Sequence, residues 1–483
     1  MAFPLPDELR RILFETPGLD QAYLVGGCVR NWRLGLPVED FDVEVYGTDY
    51  NRLASMLAVW GRTDQVGRSF GVVKLTTRSG LAYDFTVPRR DSKTGPGHKG
   101  FTTAFDAGIA PREAAARRDY TINSMMYDPR REEVLDYYGG ERDLKEGWLR
   151  HTTAAFTEDP LRVLRGMQLA GRFDLRAAPE TAELCRSIAD HHDELARERI
   201  WDEWFKWACK SRKPSSGLRF LQDTGWLCHY PEVAAMVGTE QDPEWHPEGD
   251  VFVHTGHCCD ALTGLAEWQA LPASARGGYM FAVLTHDIAK PLVTHRVVRD
   301  GRERIVSPGH EEAGGPLADA FLERIHAPRA VREHVGPLVT NHLAHLQTTT
   351  DRAVRRLARR LDPETIQGLA LVMTADHFGR PPLPKVVPDS VTRLVAMAEA
   401  LALTDAAPKP ILMGRHLVAH GFRPGPNLGK VLHEAFEAQL EGHFETLAQA
   451  HGWLLSTDDL PLPRSVRESL SRSGAEAFGQ PSR

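Results

Sequence analysis

Near residue 150 the hydrophobic pattern of this 483-residue chain changes its period, and no other feature constrains the fold as strongly. Before that point, short β-rich runs (YLVGG, FDVEVYG, GVVKLTTR, LAYDFTVP) are separated by turn signals. After it, DPLRVLRGMQLAGRF and the following segments place apolar residues at i, i+3 and i+4, and strands almost vanish. A chain this long exceeds one hydrophobic core. The pattern predicts an α+β domain over 1–150 followed by all-α domains over 151–240, 241–380 and 381–483. Pro and Gly between Gly238 and Gly249 and the proline-rich FGRPPLPKVVPDS mark the later boundaries. GFRPGPNLG splits the last helical region, and RSGAEAFGQPSR reads as a frayed tail.

Composition narrows the function classes. With 42% hydrophobic and 25% charged residues, the chain is neither disordered nor fibrous. It has no apolar run of membrane-spanning length, and MAFPLPDELRRILFE lacks the pattern of a signal peptide, so a cytoplasmic protein without membrane contact is expected. Six cysteines without a CxxC read as free thiols. A net charge of −7 argues against a fold that coats nucleic acid with overall positive charge. The 47 Arg against 11 Lys fit a GC-rich genome and also permit many guanidinium forks for phosphate.

Three features sit close together: Gly26-Gly27, Arg30 and Asp40-Phe41-Asp42. In a strand, residues i and i+2 share a face, so Asp40 and Asp42 converge with Phe41 opposite. Two adjacent carboxylates repel unless a cation lies between them, and an all-oxygen set suits Mg²⁺. A Gly-Gly turn from Tyr23–Val25 into a helix offers bare N–H groups to an anion, with Arg30 one turn on. Either feature alone is more often a solvated strand end or an ordinary turn. Downstream, Arg117-Arg118-Asp119-Tyr120-Thr121-Ile122-Asn123 and Glu158-Asp159-Pro160-Leu161-Arg162 follow. Asp159 suits an N-cap and Pro160 the first helical position, while Asp159 and Arg162 share a face as acceptor and forked donor for a base edge.

GGCVRN…DFDVEV, RRDYTINSM, DYYGGERDL, EDPLRVLR and ARERIWDE, in that order, resemble the class II tRNA nucleotidyltransferases and related bacterial poly(A) polymerases. The resemblance implies a DNA-polymerase-beta-like nucleotidyltransferase head over 1–150 and a helical neck over 151–240. It implies that Asp40 and Asp42 are catalytic and hold Mg²⁺, with Asp84 a further candidate carboxylate. Nucleotide contacts then fall to Gly26, Gly27, Arg30, Arg117, Asp119, Asn123, Asp159, Arg162 and Arg165. Relatives usually carry Asp where this chain has Asn31, and more often Glu where it has Asp84 and Asp91. GPGHKGF matches the loop that helps the family switch from C to A addition. Cys28, near the Gly-Gly turn, reads as packing.

A second set comprises His254, His286-Asp287, His310, His342 and Asp376. A His-Asp pair inside the apolar run FAVLTHDIAKP is costly to bury without a partner, and a metal is the simplest one. Any single one of the 21 histidines is more often a surface or capped residue. The ordered set resembles the HD phosphohydrolase superfamily, and WHPEGDVFVHT, THDIAKP, GHEEAG and TNHL are similar to the C-terminal HD domain of some bacterial members of the same tRNA enzyme family. That implies a transition metal (Ni²⁺, Mn²⁺, Co²⁺ or Fe²⁺) on His254, His286, Asp287 and Asp376. His310 and His342 would take phosphate or a second metal, and Lys290 a phosphate oxygen. Phosphatase, 2′-nucleotidase or 2′,3′-cyclic phosphodiesterase activity is implied.

DRAVRRLARRLD sets Arg352, Arg355, Arg356, Arg359 and Arg360 at helical spacing, either a solvated face or a track for RNA backbone. Lys206, Lys210, Arg212 and Lys213 lie near Trp201, Trp204 and Trp207, which read as core. The leading expectation is CCA addition to tRNA from CTP and ATP. A CC-adding enzyme, a poly(A) polymerase, an HD phosphohydrolase with an RNA-binding head and a non-catalytic RNA scaffold remain open. So do monomer and homodimer.

Overall fold

Strand β1 (Ala22–Val25) runs antiparallel to β2 (Asp42–Val45) on one side and to β8 (Met126–Asp128) on the other. A computed structural model describes residues 2–64, 71–93, 101–105, 108–348 and 350–478. The seven-stranded sheet has the order β3 (Gly61–Asp64), β4 (Val72–Thr77), β5 (Ala82–Thr86), β2, β1, β8, β9 (Glu133–Leu135). Its one parallel pair, β2 with β5, sets Asp42 beside Asp84. β6 (Arg89–Lys93) and β7 (Phe101–Phe105) form a separate antiparallel pair. Residues 94–100 of the expected switching loop lie outside the described residues, as does the side chain of Asp91.

Alternation explains why β2 holds its register. Phe41 and Val43 are buried while Asp40 and Asp42 are exposed, so a one-residue slip would drive charge into the core. Val43, Val73, Leu75 and Phe85 pack there with Leu9 and Ile12 of the first helix, Asp7–Glu15. Cys28 is buried in this core, its Sγ donating to the Val25 carbonyl at 3.2 Å, which agrees with a packing role.

Strands of three to six residues then give way to helices. Leu161–Phe173 packs on Arg197–Lys210 and Pro214–Asp223. Close approach there depends on glycine: a Cβ at Gly166 would collide with Tyr120 Oη, and one at Gly217 would meet Trp207 Nε1 at 2.6 Å. Trp204 and Trp207 are fully buried, as the core reading expects. Pro160 already has helical torsions (φ −57°, ψ −24°) one residue before the helix, and Asp159 caps it by accepting from Leu161 N–H at 3.1 Å.

The chain clusters into two compact units, 1–234 with 321–327, and 235–320 with 328–483. The second unit is helical with one exception. β12 (His295–Arg299) and β13 (Arg302–Val306) form a hairpin whose turn, Asp300-Gly301, has φ of +51° and +71°. Asp-Gly between β-branched residues is a hairpin signal that the helical periodicity had masked. A two-residue pair, β10 (Trp148–Leu149) with β11 (Arg176–Ala177), also interrupts the helical stretch of the first unit. RSGAEAFGQPSR is not frayed from its start: Arg464–Phe478 is helical, and residues 479–483 lie outside the described residues. No described helix is long and apolar enough to cross a membrane.

Candidate functional site

The first unit carries an open cavity of about 640 Å³. Gly26, Gly27 and Asp42 line it together with seven arginines: Arg30, Arg117, Arg118, Arg162, Arg165, Arg172 and Arg199. Gly26 adopts φ +72° before the helix Gly27–Arg33, and a side chain there would press on Arg118. Desolvation and repulsion by Asp84 and Asp40 raise the Asp42 carboxyl, against the pull of Arg118. Converging carboxylates with that mutual repulsion are the donor set a hard divalent cation relieves.

Glu44 is the residue sequence reasoning missed. It continues the Asp40, Asp42 face by two more positions, is fully buried, and accepts from Arg117 and Arg118 at 3.2 Å each. Burial alone would raise its carboxyl; Arg118 and Arg117 hold it below the ordinary value. Strand alternation could have found it. Arg172, on the same helix as Arg162 and Arg165, and Arg199, inside the ARERIWDE motif, were not singled out as site residues.

The RRDYTIN segment is a knot of internal bonds. Buried Asp119 accepts from Asn123 Nδ2 at 3.0 Å and from Arg165 at 2.9 and 2.8 Å. Arg30 donates to Asn123 Oδ1 at 2.5 Å and to Asn31 Oδ1 at 2.9 Å, and lies over the Phe173 ring. Asn31 therefore fills the acceptor position with a neutral amide. Arg162 donates to the carbonyls of Ala155 and Arg117, both at 2.8 Å, while Asp159 pairs with Arg199 at 3.0 Å. The two side chains are neighbours in the cavity wall but are not bonded to each other.

In the second unit, five chain segments bring six residues together. His254 lies on Val251–Thr263, His286-Asp287 follows Ala273–Thr285, His310 opens the next long helix, His342 follows Arg329–Thr340, and Asp376 ends Ile366–Phe378. His254 Nε2 stands 3.2 Å from Asp376 Oδ1 and 3.5 Å from Asp287 Oδ2. Asp287 Oδ2 is also 3.2 Å from His286 Nε2, while its Oδ1 faces His310 at 3.1 Å and His342 at 3.8 Å. The Nδ1 atoms of His286, His342 and His310 each lie 2.7 Å from a backbone carbonyl, of Val283, Val339 and Ser307. His254 Nδ1 lies 2.6 Å from Glu248 Oε1. Every ring thus turns Nε2 inward, as second partners do for metal-binding histidines. His286 Nε2 is buried and makes no well-directed hydrogen bond. Burial and His286 hold His342 down to about 3, so its ring is neutral and able to ligate. Asp376 alone of the six is partly exposed, at 19% of its side chain.

Glu248 and His246 were not anticipated. Burial would raise the Glu248 carboxyl, but hydrogen bonds with His246 and His254 bring it to about 2. Two expectations need correction. Lys290 is not free for a phosphate: it is buried, 2.7 Å from Asp287 Oδ2 and 2.8 Å from Gln241 Oε1. The basic stripe is not an open track either. Arg352, Arg355, Arg356 and Arg359 pair with Glu437, Glu441 and Glu445, on or just after the helix Pro426–Glu441, and Arg360 donates to Asn341.

A mixed sheet with carboxylates at the rim of a guanidinium-lined cavity defines a nucleotidyltransferase. Residues 22–150 match the family model described as Poly A polymerase head domain. Similar proteins include the multifunctional CCA protein of Xanthomonas campestris pv. campestris (strain B100), 37% identical across 86% of this chain and 96% of that protein. The multifunctional CCA protein of Acidovorax sp. (strain JS42) is 32% identical across 86% and 94%. Among solved structures, a Bacillus stearothermophilus CCA-adding enzyme in complex with CTP has a TM-score of 0.62 at 19% identity, covering 93% of this chain and 98% of that one. A Thermotoga maritima CCA-adding enzyme complexed with tRNA has a TM-score of 0.56 at 17% identity, covering 93% and 95%. These structures establish likeness of fold. The chain belongs to the multifunctional CCA protein family of CCA-adding tRNA nucleotidyltransferases.

Proposed function

We propose that this chain builds or repairs the 3′ CCA end of cytoplasmic tRNA from CTP and ATP in the cavity of its first unit. The observation that carries the reading is the cavity that Asp42 lines together with seven arginines, with Asp84 beside Asp42 in the sheet and Asp40 close enough to repel it. The tRNA 3′-hydroxyl attacks the α-phosphorus of the bound triphosphate; the new O–P bond forms as the bond to the β-phosphate breaks and pyrophosphate leaves. Mg²⁺ held by Asp40 and Asp42, with Asp84 beside them, would neutralise the triphosphate and favour the ionised hydroxyl. Arg117 and Arg118, braced by Glu44, together with Arg30, Arg165, Arg172 and Arg199, bind and orient the phosphates. Asp159 and Arg162 read the base edge; only two of the five Arg162 N–H groups are spent on carbonyls.

The second cluster is a distinct centre. His254, His286, Asp287 and Asp376 would hold a transition-metal ion whose chemistry is activation of water against a phosphate ester. Asp287 presents its other oxygen to His310 and His342, which are placed for a second ion or the substrate phosphate. Glu248 orients His254, and Lys290 orients Asp287.

The test is incubation with tRNA lacking CCA, offering CTP alone, ATP alone and both. Complete CCA requiring both nucleotides is expected. Termination at CC with both present identifies a CC-adding enzyme, and long A tracts a poly(A) polymerase.

A further inference from the structure

We propose that Cys258 is a thiolate ligand of the metal held by the second unit, which makes that centre a mixed nitrogen–oxygen–sulfur site. The inference rests on the metal-centre reading above and adds a donor to it.

Cys258 follows His254 by four positions on Val251–Thr263, so the two side chains stack on one face of the helix. Its Sγ lies 3.3 Å from His254 Nε2 and 3.7 Å from Nδ1, beside the ring and nearer its inward nitrogen. Nδ1 is already engaged by Glu248. The residue is fully buried. Its Sγ also faces the Asp376 backbone carbonyl at 3.7 Å. The donor atoms of His254, Cys258, His286 and Asp376 lie within 4.8 Å of one another. With Asp287 these make five donors; around one ion with bonds of about 2.0–2.3 Å, donors at roughly 90–120° to one another stand about 2.8–4.0 Å apart. The 3.2 Å from His254 Nε2 to Asp376 Oδ1, the 3.3 Å to Cys258 Sγ, the 3.5 Å to Asp287 Oδ2 and the 3.9 Å from His286 Nε2 to Asp376 Oδ1 lie within that range.

Two further observations converge. His286 Nε2 is buried, points into this group and makes no well-directed hydrogen bond, although Asp287 Oδ2 stands 3.2 Å away. Gly379, just past the helix Ile366–Phe378 that carries Asp376, has no room for a side chain, because a Cβ there would run into Cys258 Sγ and lie 2.7 Å from its backbone nitrogen. The end of the helix that carries Asp376 is thus packed directly against Cys258.

On binding, the S–H bond breaks, its proton passes to solvent, and the sulfur–metal bond forms with no change of oxidation state. A thiolate shifts preference toward Zn²⁺, Co²⁺ and Ni²⁺ and away from Mg²⁺. The Asp287, His310 and His342 side of the cluster carries no sulfur.

The test uses the full chain with Asp42→Ala, which removes the oxygen site of the head, loaded with Co²⁺ after chelation. A thiolate-to-Co²⁺ charge-transfer band in the near ultraviolet is expected, together with a sulfur shell in X-ray absorption. Cys258→Ser should abolish both and weaken Co²⁺ binding at least about tenfold. Cys259→Ser should change neither. Co²⁺ bound with its visible bands but with no charge-transfer band and no sulfur shell overturns the ligand assignment and leaves the metal centre standing. The X-ray measurement on Cys258-containing protein decides the matter even if the serine variant fails to fold. Co²⁺ uptake unaffected by Asp287→Ala overturns the metal-centre reading itself.

Discussion

The carboxylates of the two units meet positive charge in opposite ways. In the first, Asp42, with Asp84 beside it and Asp40 near, lines an open cavity whose lining cations are all guanidinium groups. In the second, buried Asp287 is enclosed by His254, His286, His310, His342 and Lys290. Guanidinium keeps its proton at any physiological pH, so it suits a polyanion that comes and goes. Imidazole can lose its proton and ligate, so it suits an ion that stays. The difference separates a site built to receive a triphosphate from one built to retain a metal.

The sharpest way to break this contrast is Asp42→Ala. Nucleotide addition should fall by about 10³-fold or more, measured as CTP and ATP incorporation into tRNA lacking CCA. Retention of a substantial fraction of turnover would remove Asp42 from the catalytic set.

Glu44→Ala tests whether the arginine wall needs its buried brace. Removing one partner of a buried ion pair costs about 3–5 kcal/mol, to be read from the first unfolding transition in denaturant. Since the Glu44 carboxyl titrates below its ordinary value, its contribution is present above about pH 4. It is lost as pH falls through the lowered value. The wild type should therefore lose stability on acidification more steeply than Glu44→Ala; parallel pH profiles would refute the brace.

Arg162→Ala should change the ratio of CTP and ATP over the other nucleotides by about 1–3 kcal/mol, with a smaller effect on triphosphate affinity. Unchanged selectivity in competition assays would exclude base reading by this residue.

The smallest effect belongs to the basic stripe. Its arginines already pair with Glu437, Glu441 and Glu445, and exposed pairs contribute about 1 kcal/mol or less. Arg352→Ala or Arg359→Ala should leave tRNA affinity within about twofold, a shift far below one charge-assisted contact. A larger loss in filter binding would restore the RNA-track reading.

How legible each feature was follows from its range in sequence. Asp40 and Asp42 could be placed because strand alternation is local, and the same rule extended two positions would have reached Glu44. The six residues of the second cluster were legible chiefly through the family resemblance; the His-Asp pair buried in an apolar run calls by itself for a polar or ionic partner, but does not say which distant residues supply it. Cys258, at i+4 from His254, was within reach of helical spacing. Lys290 was misjudged because it turns back onto Asp287, three residues earlier, across the turn that joins Ala273–Thr285 to the next short helix. The arginine stripe misled for the opposite reason: its acidic partners lie some 80 to 90 positions away in sequence, where no local pattern points.

The central claim is that nucleotidyl transfer and the second metal centre use different residues on different units. The direct measurement assays both activities, CCA addition and metal-dependent phosphohydrolysis, on Asp42→Ala and on Asp287→Ala, each confirmed folded by circular dichroism. The account predicts that Asp42→Ala loses only addition and that Asp287→Ala loses only hydrolysis. Loss of both activities in either folded variant would contradict it.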